Sequence, residues 1–362
     1  MPKWLRTLVV PLAALALVAA ACGDDGDETG GDGDTPECNA DLNVGVAYDI
    51  GGIGDKSFND AANAGLQQAI DEGLVCEENT DSLEPDATGS NRDENVIALA
   101  DAGHELVIAV GFAFSPGINE SAPDYPDTQF AIIDGFATCG TACGLTNDGL
   151  TNVTDLTFKE HEGSFLVGAA AALQAQKDNC DTVGFLGGQT GPLIEKFQAG
   201  YEAGVAHIDD GIEVLVQYIG DDVTAFNDAV KGEALSTGMY DDGACIIYHA
   251  AGASGAGLFN AAVEADALAI GVDSDQYQLV SEEQKPHIMT SMLKRVDTAV
   301  HDAIQQTGDD SLEAGAQVFG MAEGGVDYSK SNPELMTDDI ITLLDDLKQQ
   351  IIDGDITVPD AP

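Results

Sequence analysis

The chain has 362 residues, of which 13 are Lys or Arg and 64 are Asp or Glu, so its formal net charge at pH 7 is −51. This length exceeds what one hydrophobic core usually supports, and it predicts two packed lobes. Only 11 basic residues remain once Lys3 and Arg6 are set aside, too few to neutralise a row of phosphates. The charge therefore excludes a nucleic-acid-binding role and disfavours electrostatic docking on anionic lipid.

The N-terminus is typical of an export signal. Two basic residues precede residues 8–21, an almost purely apolar run that is too short to span a membrane comfortably and ends in small residues. Cys22 follows directly, in an arrangement that resembles a bacterial lipobox except that Ala19 stands where Leu is usual. We expect residues 1–21 to be a signal peptide and Cys22 to carry a lipid. The alternative is an ordinary secretory signal with an incidental cysteine.

An acidic stretch follows the signal. Residues 23–36 (GDDGDETGGDGDTP) contain no apolar side chain, so they cannot bury surface. We expect residues 22–40 to form a flexible tether that begins at the lipidated Cys22. A calcium loop is the alternative, but the spacing does not match an EF-hand and no Glu closes a 12-residue loop.

Six cysteines remain after Cys22, and an even number in an exported chain suggests disulfides. Six cysteines allow 15 pairings, among which the sequence alone does not choose. Their positions near strand starts and in one Gly-rich turn favour the pairs Cys38–Cys76, Cys139–Cys143 and Cys180–Cys245. A zinc site would need paired Cys-x-x-Cys or His spacing, which the chain lacks.

The rest of the chain alternates strand and helix patterns. Apolar runs predict strands at residues 43–49, near 76, and at 105–110, 129–134, 153–158, 182–186, 213–218, 245–249, 268–273, 288–293 and 317–321. Amphipathic or small-residue patterns predict helices at residues 57–72, 91–102, 160–176, 192–207, 226–237, 257–264, 296–306 and 337–352. Ser57 and Asp60 are spaced as a capping box at the start of the first helix.

This alternation predicts an α/β fold of two doubly wound parallel-sheet lobes joined by a hinge. We expect residues 41–362 to form this domain of two lobes. We assign residues 41–157 and a segment near 295–312 to lobe one, and residues 158–293 and the C-terminal part to lobe two.

Unusual residues follow the predicted strands, where open parallel sheets bind ligands. The strand ends carry carboxylates at Asp49, Asp134 and Asp273, and glycines that include Gly252. Turns between strands and helices need glycine and polar caps in any case, so a single turn is weak evidence. Several carboxylates at one sheet edge favour a binding site. Dinucleotide and ATP loops are disfavoured, because neither G-x-G-x-x-G nor G-x-x-x-x-G-K-[ST] is present.

Two aromatic residues and one lysine extend this candidate site. Phe58 lies near the start of a helix in lobe one, and Phe197 lies near the start of a helix in lobe two. If their rings face each other across the cleft, they can stack on both sides of a flat ligand. The alternative is that both are ordinary core residues. Lys294 ends a strand and can bond ligand hydroxyls or pair with Asp273; the alternative is a surface charge.

Catalytic patterns are scarce. The six histidines show no metal-binding spacing, and no G-x-S-x-G elbow is present. Carboxylates are so abundant that a pair of them carries little information. We therefore predict a binding protein with no catalytic residue, metal or cofactor.

Several stretches resemble the basic membrane protein family, the PnrA-like substrate-binding lipoproteins of ABC transporters. The most specific are DKSFN (55–59), EGSFLVG (162–168), GVDSDQ (271–276) and SMLKR (291–295), and the likeness runs from residue 41 to the C-terminus. The resemblance implies a type I periplasmic-binding-protein fold and a nucleoside ligand, chiefly a purine nucleoside, bound between the lobes.

The resemblance also implies roles for individual residues. Phe58 and Phe197 would sandwich the base, and Asp134 would bond its edge. Asp273 and Lys294 would hold the ribose hydroxyls. Supporting contacts are expected from Asn59, Asp49 and Gly252. Asp49 stands where some relatives have Asn, and the Cys139–Cys143 loop is an addition to the usual pattern.

The implied protein is a monomer that is anchored by lipid to the outer face of the cell membrane. It delivers a nucleoside to a membrane permease driven by an ATPase. Two alternatives stay open on sequence grounds: a ligand sensor for a membrane signalling protein, and an enzyme that processes nucleosides.

Overall fold

The computed structural model describes residues 38–362. The predicted signal peptide, Cys22 and most of the predicted tether lie outside these residues. No helix within the described part of the chain is both long and apolar enough to cross a membrane.

Twelve strands and ten α-helices make up the described residues. The strands are β1 (Val44–Ala47), β2 (Thr80–Leu83), β3 (Leu106–Val110), β4 (Gln129–Ile133), β5 (Val153–Phe158), β6 (Thr182–Gln189), β7 (Glu213–Gly220), β8 (Ile246–Ala250), β9 (Leu268–Asp273), β10 (Ile288–Lys294), β11 (Gly315–Phe319) and β12 (Val326–Tyr328). The helices are α1 (Phe58–Asp71), α2 (Arg92–Asp101), α3 (Ser115–Ser121), α4 (Glu160–Asp178), α5 (Pro192–Ile208), α6 (Ala229–Asp241), α7 (Gly255–Ala265), α8 (Gln276–Leu279), α9 (Val296–Gly308) and α10 (Asp338–Ile352).

These strands form two sheets, as predicted, and each sheet has six strands. The first has the order β11-β5-β4-β3-β1-β2 and the second the order β12-β10-β9-β8-β6-β7. Five strands therefore follow the same order in both lobes, and a sixth from the last third of the chain is added at one edge. All pairs are parallel except β10 with β12. Strands β3 and β8 are buried along their whole length, which explains their unbroken apolar sequences.

The chain crosses between the lobes three times, and the crossings lie side by side. They follow β5, β10 and β11, at Lys159, Arg295 and residues 320–325. The Lys159 amide donates to Phe319 O at 3.1 Å, and the Arg295 amide donates to Gly325 O at 2.9 Å. Because β11 belongs to the first sheet, the second segment of lobe one extends to Phe319, past the predicted end near residue 312.

The three predicted disulfides are present. Cys38 pairs with Cys76, Cys139 with Cys143 and Cys180 with Cys245, with Cα–Cα distances of 5.0, 5.8 and 6.4 Å. The first and third join residues that are 38 and 65 positions apart in the sequence. Each of these two disulfides lies at the amino-terminal ends of the strands of one lobe, opposite the carboxyl ends.

Some short elements differ from the predicted pattern. The weak strand expected near Cys76 begins at Thr80, because a 3-10 turn occupies Glu77–Asn79. Helix α3 and strand β12 were not predicted. Both are short, seven and three residues, so neither carries enough sequence periodicity to be recognised.

Helices α4 and α5 pack closely through glycines. A Cβ at Gly168 of α4 would overlap the carbonyl oxygen of Tyr201, and a Cβ at Gly204 of α5 would overlap that of Phe165. Backbone atoms cannot move aside as a flexible side chain can. The small-residue pattern of α4 is therefore the consequence of tight helix packing next to the hinge.

We expect Gly168→Ala to destabilise the protein by roughly 1–3 kcal/mol, the usual effect of overpacking a filled core. Urea unfolding followed by circular dichroism measures this. Gly238→Ala is the control, because Gly238 lies in the exposed face of α6 with nothing within 4 Å of the added methyl group. Equal effects of the two substitutions would contradict the packing argument.

Candidate functional site

A cavity lies between the carboxyl ends of the two sheets. It holds about 610 Å³ of space free of protein atoms, part of it open to solvent. Both lobes contribute to the lining. All eight residues proposed from the sequence line it: Asp49, Phe58, Asn59, Asp134, Phe197, Gly252, Asp273 and Lys294.

Lys294 lines this cavity and is buried, with 2% of its surface exposed. Its ammonium group lies 2.6 Å from Asp134 Oδ1 and 3.1 Å from Glu160 Oε1. Burial by itself would lower the pKa of Lys294, but Asp134, Glu160 and Asp273 outweigh burial and raise it above the ordinary value. Lys294 is therefore a fixed positive charge that joins a residue of lobe one to a strand of lobe two.

This pairing differs from the sequence interpretation, in which Asp273 was the partner considered for Lys294. Lys294 instead pairs with Asp134 and Glu160. Asp134 and Lys294 touch each other, so the two side chains lie at the same place in the cavity lining. The assignment of Asp134 to the base edge and of Lys294 to the ribose stays a prediction.

The ammonium group of Lys294 also lies among aromatic rings. It is 5.3 Å from the ring centroid of Phe58, 5.5 Å from that of Phe197 and 4.9 Å from that of Phe158. Phe58 belongs to lobe one and Phe197 to lobe two. The two predicted aromatic residues therefore come together from opposite sides of the cleft.

Asp134 and Asp273 occupy equivalent places in the two lobes. They follow β4 and end β9, and both have a left-handed backbone, with φ of 60° and 63°. Aspartate tolerates this conformation better than most residues. The same local geometry therefore directs one carboxylate from each sheet into the cavity.

Asp273 is held by a contact from the opposite lobe. Ser57 Oγ donates a hydrogen bond of 2.5 Å to Asp273 Oδ2. Burial raises the pKa of Asp273 to about 7, against the opposing effects of Lys294 and Ser57. The carboxyl group is thus placed to change protonation near neutral pH.

Two further hydrogen bonds join the lobes at the same place. Ser274 Oγ donates to Ser57 O at 3.2 Å, and Gln276 Nε2 donates to Lys56 O at 3.0 Å. Gln276 Oε1 accepts from the Val272 amide and lies 2.9 Å from His249 Nε2, so that nitrogen carries the proton. The loop before α1 is therefore docked on the end of β9, and the lobes are closed.

The start of α1 is capped differently from the prediction. Asp55, not Ser57, caps the helix: it accepts hydrogen bonds from the amides of Ser57, Asn59 and Asp60. Asp60 instead accepts from the amides of Gly54 and Lys56. The capping-box prediction was wrong because Asp55, two residues before Ser57, accepts the hydrogen bonds of the free amides in its place. Ser57 is consequently free to bond Asp273.

Several residues of the site were missed from the sequence. Glu160 is fully buried and contacts Lys294, and Arg92 pairs with Asp49. Phe112 and Phe226 line the cavity from opposite lobes, with ring centroids 6.5 Å apart. Glu160 lies two residues before the stretch EGSFLVG (162–168), which resembles the basic membrane protein family, but nothing in the local sequence shows that its side chain turns inward.

The sequence matches the model of a known family over residues 42–361, a family described as "ABC transporter substrate-binding protein PnrA-like". The chain belongs to this family. It is also 31% identical over 368 residues to the "ABC transporter nucleoside-binding protein BmpA" of Lactococcus lactis, a match that covers 98% of this chain and 99% of the relative.

Two other proteins illustrate the range of the similarity. The "CD4+ T-cell-stimulating antigen" of Listeria innocua is 32% identical over 378 residues, with 99% of each chain covered. A solved structure of an ABC transporter solute-binding protein from Aeropyrum pernix has a TM-score of 0.72 at 27% identity, and covers 88% of this chain and 94% of that one. The bilobed fold of this member is thus that of ABC solute-binding proteins.

The raised pKa of Asp273 predicts a dependence of stability on pH. The buried carboxyl group favours its protonated form, so its contribution to stability is full below about pH 4 and is lost as the pH rises through about 7. Relative to Asp273→Asn, the wild type should lose free energy of unfolding over this interval. Urea unfolding at pH 4 to 8 measures the difference.

The control for that experiment is Asp124→Asn, which removes an exposed carboxylate outside the cavity. The difference in free energy of unfolding between this variant and the wild type should stay constant from pH 4 to 8. A constant difference in stability between wild type and Asp273→Asn across the whole range would contradict the account.

Proposed function

We propose that this member of the family binds a nucleoside, most favourably a purine nucleoside, in the cavity between its lobes. The observation that carries the proposal is the charge of the lining. Four carboxylates, Asp49, Asp55, Asp134 and Asp273, share the cavity with one ammonium group, that of Lys294. Such a lining suits an uncharged ligand that donates many hydrogen bonds.

The ribose fits beside Lys294. Carboxylates accept hydrogen bonds from hydroxyl groups, and an ammonium group donates to their oxygens. Asp134 and Lys294 are held together there, so they can bind neighbouring hydroxyl groups of a diol. Bonds of this kind are charge-assisted and stronger than neutral ones.

The base fits between aromatic rings. Phe58 and Phe197 approach from opposite lobes, and the rings of Phe112 and Phe226 also line the cavity. Stacking of a base on an aromatic side chain contributes roughly 1–3 kcal/mol. Because the rings come from both lobes, the full set of contacts exists only when the cleft is closed, and the ligand stabilises the closed form.

The same lining disfavours nucleotides. A phosphate group adds negative charge to a space where carboxylates already outnumber the single ammonium group. Like charges at short range in a partly buried site repel strongly. We therefore infer that the ligand is the nucleoside and not its phosphate ester.

The proposal extends to transport. The family is one of ABC transporter substrate-binding proteins, and a relative carries the name of a nucleoside-binding protein. We propose that the closed, loaded protein delivers its nucleoside to a membrane permease and its ATPase. In this proposal Cys22 carries the lipid that keeps the protein on the outer face of the membrane, and no reaction is catalysed.

Isothermal titration calorimetry with adenosine and inosine tests the binding proposal. We expect one binding site per chain, and a roughly ten- to hundredfold loss of affinity in Phe58→Ala, as a lost stacking contact would give. Tyr125→Ala is the control, because this residue follows α3 at the opposite end of the first sheet. It should bind like the wild type.

Two results would contradict the proposal. The first is the absence of heat and of thermal stabilisation with every nucleoside tested, since a ligand of the native state raises its stability. The second is release of free base at a catalytic rate when the protein is incubated with inosine and the products are separated by chromatography, which would indicate an enzyme.

A further inference from the structure

Asp49 follows β1 of lobe one, and its two carboxylate oxygens differ in their hydrogen-bond partners. Oδ1 accepts hydrogen bonds from Arg92 Nε at 2.6 Å and from the Ile50 amide at 2.7 Å, and Arg92 Nη2 contacts the same oxygen. Within residues 38–362, no group donates to Oδ2. One oxygen is thus occupied by the protein while the other is left at the wall of the cavity.

The free oxygen has space because its neighbour is a glycine. A Cβ at Gly111, whose φ is +128°, would lie 2.7 Å from Asp49 Oδ2. Gly111 follows β3, and Asp49 follows β1, the two adjacent strands at which the strand order of lobe one reverses. Ligands of open parallel sheets bind at this point.

Arg92 itself is held in place. It is 9% exposed, its Nη1 donates to Gly89 O at 3.0 Å, and its guanidinium carbon lies 5.9 Å from the ring centroid of Phe114. Gly89 has φ of +68°, and a Cβ there would overlap the guanidinium group. The side chain is therefore enclosed between a loop and an aromatic ring, and its planar group has one orientation.

The other charges near Asp49 do not replace this contact. Asp55, Asp134, Asp273 and Lys294 share the cavity lining, but within the described residues Arg92 is the cation that contacts Asp49. Glu84 and Asp86 flank the adjoining loop at residues 50–52, and Asp93 follows Arg92 on α2. Burial raises the pKa of Asp49, and the charge of Arg92 opposes that effect.

We propose that Arg92 is a positioning residue of the binding site: it fixes the Asp49 carboxylate so that Oδ2 accepts a hydrogen bond from an O–H or N–H group of the ligand. The inference rests on the proposed nucleoside function. It explains why an arginine is buried beside the cavity of a chain so poor in basic residues. It also makes the site selective for a hydrogen-bond donor at this position, since an ionised carboxylate only accepts.

A double-mutant cycle tests the inference, with adenosine as the probe in calorimetry at pH 6 and pH 8. Arg92→Gln should weaken binding by roughly ten- to a hundredfold, the effect of losing a hydrogen bond to a charged group. The loss should be larger at pH 6, because removing the guanidinium charge raises the pKa of Asp49 further and protonates the acceptor. In the Asp49→Asn background, Arg92→Gln should change affinity by less than about threefold.

An arginine with a merely structural role would weaken binding equally in both backgrounds, and that result would overturn the proposal. Arg92→Lys keeps the charge without the planar group, so it should restore the pH profile while recovering only part of the affinity. Lys330→Gln is the control for net charge, because Lys330 forms an exposed pair with Asp345. It should bind like the wild type.

The two proposals fail in distinguishable ways. If the wild type binds no nucleoside, the proposed function fails, and Arg92 is then tested without ligand by the NMR titration of the Asp49 carboxyl carbon. The midpoint of this titration should lie at higher pH in Arg92→Gln than in the wild type. If the glutamine variant does not fold, Arg92→Lys takes its place, and its midpoint should be shifted in the same direction by a smaller amount. An unchanged midpoint would overturn the positioning role.

Discussion

The buried ammonium group of Lys294 is the interaction on which the rest of the site depends. A charge with 2% exposure is stable only when opposite charges surround it, and here they come from three parts of the chain. Asp134, which follows a strand of lobe one, and Glu160, which begins the helix after the first crossing, contact the ammonium group. Asp273, at the end of a strand of lobe two, stabilises the charge without contacting it. The closed arrangement of the lobes is therefore tied to the neutralisation of this one charge.

The repetition of strand order in the two lobes places these groups. The order of five strands is the same in each sheet, so the carboxyl ends of equivalent strands face each other across the cleft. Asp134 and Asp273 use the same left-handed backbone conformation to enter it. Lys294 lies beside Asp273 because β10 pairs in parallel with β9, with Leu293 opposite Asp273. The fold thus collects carboxylates at one place, and the lysine limits their mutual repulsion.

Much of this organisation could be predicted from the sequence. Apolar strands such as β9 and amphipathic helices such as α10 can be recognised from their local sequence patterns. The residues that follow the strands could then be assigned to one edge of each sheet, because the carboxyl ends of parallel strands lie together there. The eight proposed lining residues lie together for that reason. The family resemblance supplied the ligand class, which the pattern of strands alone does not specify.

What could not be predicted are the partners of these residues. Arg92 lies 43 residues after Asp49, and Ser57 lies 216 residues before Asp273, so neither pair has a local sequence signal. Glu160 was one of many acidic residues in a chain with 64 of them, and only burial distinguishes it from the surface carboxylates. Local patterns determine elements, whereas charge pairing depends on the tertiary fold.

The high negative charge of the chain disfavours binding of nucleic-acid polymers, and the carboxylates that line the cavity disfavour a phosphate group in the same way. The carboxylates around Lys294 should accept an uncharged, hydroxyl-bearing ligand and repel a phosphate group. Calorimetry of adenosine and of adenosine 5′-monophosphate in the same buffer tests this property of the site. We expect adenosine to bind and the monophosphate to bind far more weakly; equal affinity for the two would contradict the proposed role of the carboxylates.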